Sequence, residues 1–156
     1  MKTIRNLTLL FIAAVASATA LLAKPIPGPK GGKIVTTEAP HVELFVAPDR
    51  TVVVSFYDKD LKPVAPPGQV VSAVAEAKSG KANLAFAAKD GALVSSAPLP
   101  EGDGYRVVLQ VKDNAQARPK NYRIEFHDEV CGECKRAEYA CVCDDAGKGH
   151  DHEKKK

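Results

Sequence analysis

Tryptophan is absent from the 156 residues, methionine occurs once, at position 1, and no cysteine precedes residue 131. Without tryptophan and an early cysteine pair, the chain has no means of building the Cys–Trp–Cys core of an antibody domain. Without an internal methionine it lacks a thioether-rich copper site, so copper would need thiolate or imidazole donors. No serine elbow, Gly-rich phosphate loop, HExxH helix or carboxylate pair in a raised-pKa setting occurs, which argues against an enzyme. Charge of one sign is lacking as well. Lys and Arg number 22 against 19 Asp and Glu, and removing Lys2 and Arg5 with a leader leaves 20 against 19. That balance exerts no long-range pull on nucleic acid or anionic lipid.

What is present begins with a leader pattern. Lys2 and Arg5 precede an uncharged run from Leu7 to Ala23, which turns to small residues at Ala16-Ser17-Ala18 and Ala18-Thr19-Ala20. This is the order of a secretory signal peptide, expected over residues 1–23. A membrane anchor needs about 20 strongly apolar residues, and this run is diluted by Ala, Ser and Thr. No membrane span is expected after cleavage, and the mature chain is expected to be periplasmic or secreted. Residues 24–32, KPIPGPKGG, read as a Pro/Gly linker.

From Lys33 onward short β-type runs alternate with turn residues. Ile34–Glu38 and His41–Ala47 come first, and Thr51–Asp58, TVVVSFYD, reads as a central strand buried on both faces. Gln69–Ala77, Ala82–Ala88 and Ala92–Ala97 are parted by KSGK and KDG, where Gly accepts a positive φ. Tyr105–Lys112 and Asn121–His127 alternate apolar and polar residues, the mark of half-exposed antiparallel strands. The expected fold over 33–128 is all-β: an antiparallel immunoglobulin-like sandwich of seven or eight strands.

Gly31-Gly32-Lys33, His41-Val42-Glu43-Leu44 and Val54-Ser55-Phe56-Tyr57-Asp58, followed by Lys62-Pro63, lie in an order and spacing that resembles a known group. It comprises small exported β-sandwich proteins that accompany, or form a domain of, the periplasmic adaptors of heavy-metal efflux pumps. The resemblance covers residues 31 to about 127. It implies an accessory role in envelope metal handling, an envelope protein partner such as an efflux adaptor, and no catalytic activity.

All four cysteines fall within VCGECKRAEYACVC, residues 130–143, with the spacing Cys131-x2-Cys134-x6-Cys141-x-Cys143. A Cys-x2-Cys turn containing Gly132 brings two sulfurs round one ion, and a second pair six residues on closes a four-thiolate shell for Zn2+. The dense thiols also suit Cu(I) or another thiophilic ion. Four thiolates round a divalent ion carry a net charge of about −2, which Lys135 and Arg136 can screen in part. The competing expectation is two disulfides, because oxidising compartments favour them. Bonding within Cys141-x-Cys143 strains the geometry, so the pairing would be Cys131 with Cys143 and Cys134 with Cys141. Such a staple describes a structural or protein-interaction module of the envelope. A thiol-redox reading of Cys131-Gly132-Glu133-Cys134 lacks the βαβ setting it requires. The cysteine module is expected over 129–145.

Two secondary candidate metal sites stand beside the plainer reading of solvated surface and solvated tail. His41 and Glu43 share one face of a strand, about 7 Å apart, close enough to share a cation, although solvated surface is the plainer reading of such a pair. His150 and His152, with Asp144, Asp145 and Asp151, lie in a polar tail, 146–156, expected to be disordered, where a His-rich tract can pass an ion to the cysteines.

Overall fold

The computed structural model describes residues 25–66 and 68–143. The leader, the 146–156 tail with His150 and His152, and the last two residues of the cysteine module lie outside the described residues. The described chain is all-β apart from one short 3-10 turn at Glu138–Ala140. Nine strands form one antiparallel sheet: β1 Lys33–Ile34, β2 His41–Val46, β3 Thr51–Tyr57, β4 Pro63–Val64, β5 Val70–Ala77, β6 Gly80–Lys89, β7 Ala92–Pro98, β8 Tyr105–Lys112 and β9 Lys120–Phe126.

Their spatial order is β1-β2-β3-β7-β6-β5-β8-β9, with β4 beside β3. The sheet curls into a half-barrel because β6 serves two neighbours in turn. Residues 80–85 of β6 pair with β5, and residues 86–89 pair with β7. One half, β2-β3-β7, thus faces the other, β5-β8-β9, across a single core. Val42, Leu44, Val54 and Phe56 meet Ala73, Leu109, Ile124 and Phe126 in one buried cluster. Period-2 alternation sets this: along β8, Tyr105, Val107, Leu109 and Val111 are buried while the residues between them are not.

Strand bounds read from pattern differ from the structure by one or two residues for most strands. The exception is the first. Ile34–Glu38 was expected as a strand, but β1 pairs only through Lys33–Ile34 before the chain turns off toward the cis Ala39–Pro40 bond. The Pro63–Gly68 loop contains the two-residue β4.

The corner before β8 is held from two sides. The Tyr105 hydroxyl donates to the Pro100 carbonyl (2.9 Å). Arg50 donates from Nη2 to the Pro100 and Gly102 carbonyls and lies over the Phe126 ring, 5.3 Å from its centroid.

Curling leaves a seam between the first strands and the last, and the chain's own C-terminal segment crosses it. The side of β2 away from β3 is satisfied stepwise. Val42 accepts from the Val35 amide, Leu44 pairs with Lys33, and the Val46 amide donates to the Tyr139 hydroxyl (2.9 Å). On the opposite bank the Tyr139 amide donates to the His127 carbonyl just past β9 (3.0 Å). Tyr139 is 5 % exposed and its ring packs 5.4 Å from that of Phe126. An aromatic residue in the middle of the cysteine motif therefore plugs the half-barrel.

Candidate metal centre

The cysteine module grows directly from that plug. Val130 and Ala137 form an isolated bridge, the Cys131 amide donates to the Arg136 carbonyl (2.7 Å), and the Lys135 amide donates back to the Cys131 carbonyl (3.1 Å). Lys135 sits at φ 58°, the left-handed turn that brings the chain round after Cys134. The 3-10 turn then returns the chain, with the Cys141 amide donating to the Glu138 carbonyl. Two backbone loops thus present two cysteines each to a common point.

The four sulfurs lie within 4.8 Å of one another, and among the described residues this is the group of Cys, His, Asp and Glu side chains that can hold a metal ion. Cys131 and Cys143 Sγ are 3.7 Å apart, Cys134 and Cys141 3.7 Å, and Cys131 and Cys141 3.5 Å. A tetrahedral shell with metal–sulfur bonds of about 2.3 Å has edges of about 3.8 Å. A disulfide bond is about 2.05 Å, and the four cysteines are free thiols here.

Their titration is unequal. The Val142 amide, with that of Arg136 and the thiols of Cys141 and Cys131, draws Cys134 down to about 6 against the cost of burial. Burial pushes the Cys141 thiol up, and sharing a hydrogen bond with Cys141 pushes Cys143 far above the ordinary thiol range. Cys134 is thus readier to ionise than Cys141 or Cys143, and thiols that hold an ion do so as thiolates. Of the two cations expected to screen the thiolates, Lys135 binds the Gly132 carbonyl (2.6 Å) and Arg136 binds the Gly28 carbonyl (3.1 Å). Arg136 therefore ties the module to the segment before β1.

Cys131, Cys141 and Cys143 also line a cleft of about 630 Å3, together with Lys33, Arg123, Glu125 and His127. His127 Nδ1 is 3.0 Å from Asp103 Oδ2.

His41 and Glu43 share a face of β2, as read from the sequence, but both are buried, at 7 % and 0 % exposure. Glu43 accepts from the amides of Lys30 and Gly32 (3.0 and 2.8 Å) and from the Tyr57 hydroxyl (2.5 Å). Burial first, and then this carboxylate, pushes the Tyr57 hydroxyl far above its usual pKa. Glu43 thus fastens residues 28–32 across the outer face of β2, and the stretch read as a linker is a strap. A sequence signal for it was present in Gly28 and Gly32. A side chain on Gly28 would collide with the Glu43 carboxylate, and one on Gly32 with the Leu44 carbonyl.

In comparisons with known proteins, no family model, no curated protein and no solved structure matches the chain.

Proposed function

We propose that the chain is an exported, non-enzymatic metal-binding accessory protein of the cell envelope, serving heavy-metal homeostasis or efflux, with Zn2+ or another thiophilic ion such as Cu(I) held by Cys131, Cys134, Cys141 and Cys143. The observation that carries this reading is the sulfur spacing. Separations of 3.5 to 3.7 Å suit the edges of a tetrahedral thiolate shell. Support for export comes from the leader pattern of residues 1–23, and support for an efflux setting from the resemblance over residues 31 to about 127.

The scaffold is read as an immunoglobulin-like sandwich. In support, β2-β3-β7-β6 and β5-β8-β9 run in the order of that fold's A-B-E-D and C-F-G sheets. The Tyr105 hydroxyl also reaches back to Pro100, in the manner of the tyrosine corner at the start of strand F.

A disulfide-stapled interaction module is the second reading. It is favoured by the proximity of the two sulfur pairs that cross-pairing requires, each at 3.7 Å.

Native mass spectrometry of the exported chain, with thiols counted under denaturing conditions, separates the two. One bound ion and four titratable thiols after chelation are expected. A mass lower by four hydrogens with no ion would overturn the metal reading.

A further inference from the structure

β9 is the last strand of the sheet and pairs with β8 alone. Its backbone groups face alternately inward and outward along the strand. The Phe126 carbonyl accepts from Gly104 on the β8 side, while the His127 carbonyl faces the seam and accepts from Tyr139. By that alternation Tyr122, Ile124 and Phe126 direct their backbone groups at β8, and Arg123 and Glu125 direct theirs into the seam. Among the described residues no backbone group meets those of Arg123 and Glu125 there. Arg123 and Glu125 also line the cleft onto which Cys131, Cys141 and Cys143 open.

We infer that this cleft is a strand-docking site, where an extended segment of a partner polypeptide pairs with the free edge of β9 and brings a cysteine or histidine side chain to the thiol cluster. The occupant follows from continuity. Residues 138 and 139 already bond to the carbonyls of Glu129 and His127, so an extended backbone entering beside them prolongs a ladder the chain has begun. Residues of the cysteine module line the same cleft, so a single extended chain paired with β9 lies against both. The donor chemistry follows from the three sulfurs in the wall. Were a thiophilic ion held by the cluster, an incoming thiol or imidazole would compete with the thiolates for it, an entering thiol passing its proton to the thiolate it displaced. This inference rests on the metal reading for the transfer step and stands apart from it for the docking step.

The test uses the full mature chain and the acetylated, amidated peptide Thr-Val-Cys-Val-Thr, its serine analogue, and N-acetylcysteine amide as a donor without a strand. The serine peptide is expected to shift the amide resonances of Arg123 and Glu125. Zinc is expected to leave the loaded protein at least about tenfold faster for the cysteine peptide than for the small thiol at equal thiol concentration. Arg123→Pro removes an outward N–H while leaving the β8 ladder intact, which an edge strand tolerates, and Glu125→Pro does the same at the next position. Either variant that retains the native sheet spectrum is expected to abolish both effects. Equal zinc-transfer rates for peptide and small thiol, or shifts confined to other strands, would overturn the proposal. Failure of the protein to retain zinc at all would instead sink the metal reading, and the serine peptide would still decide the docking step.

Discussion

Tyr139 satisfies two unrelated demands with one side chain, since its ring fills the core beside Phe126 while its hydroxyl caps the Val46 amide. Tyr139→Phe keeps the ring and orphans that amide, so a loss of about 1 to 3 kcal/mol is expected in urea denaturation. Glu43→Gln leaves three donors facing a neutral amide and is expected to cost about 2 kcal/mol. The loosened strap should appear as faster proteolysis near Lys30. Asp103 contributes acid sensitivity. Burial raises its pKa, but the Asp128 amide and His127 outweigh that and hold it below the usual carboxylate range. Because the folded value lies below the unfolded one of about 3.9, protonation favours unfolding. Its contribution is full above the unfolded value and disappears as pH falls through the folded one. The difference in melting temperature between the wild type and Asp103→Asn should therefore be largest near neutrality and vanish in strong acid.

At the scale of elements, alternation made most strands legible. Along β8 and β9 every second residue is apolar, and burial follows that period. The cysteine spacing was legible too, because four thiols in fourteen positions have few ways to avoid one another. What pattern did not disclose was coverage. Glu43 reads as a polar face residue until the strap is laid over it, and Tyr139 reads as part of a loop until the seam is seen. Both depend on contacts 11 to 93 residues apart, which no local window contains. The module is one cooperative element, since its amides are fixed by the same turns that aim its sulfurs. Chelating the ion should accelerate hydrogen exchange at Cys131, Glu138 and Cys141 by at least about tenfold, or ~1.4 kcal/mol of local opening, with β3 and β8 unchanged.

At the largest scale, the central fact is that among the described residues a nine-stranded sheet curls into a half-barrel whose seam is crossed by a segment that is hardly sheet at all. The strap, the plug and the cysteine module meet there, joined through Arg136 and Gly28. A chain ended after residue 128 keeps all nine strands yet strips the Val46 amide and the His127 carbonyl of their partners and uncovers the Phe126 ring. Such a truncation is expected to form oligomers in sedimentation velocity, since unprotected edges pair with one another. The bond from Val46 to Tyr139 spans 93 residues, so the contact that caps this end of β2 forms only after every strand has emerged. During synthesis or export every earlier strand can be in place while the edges remain open, and the interval before residue 139 arrives is when the chain is most exposed to its neighbours.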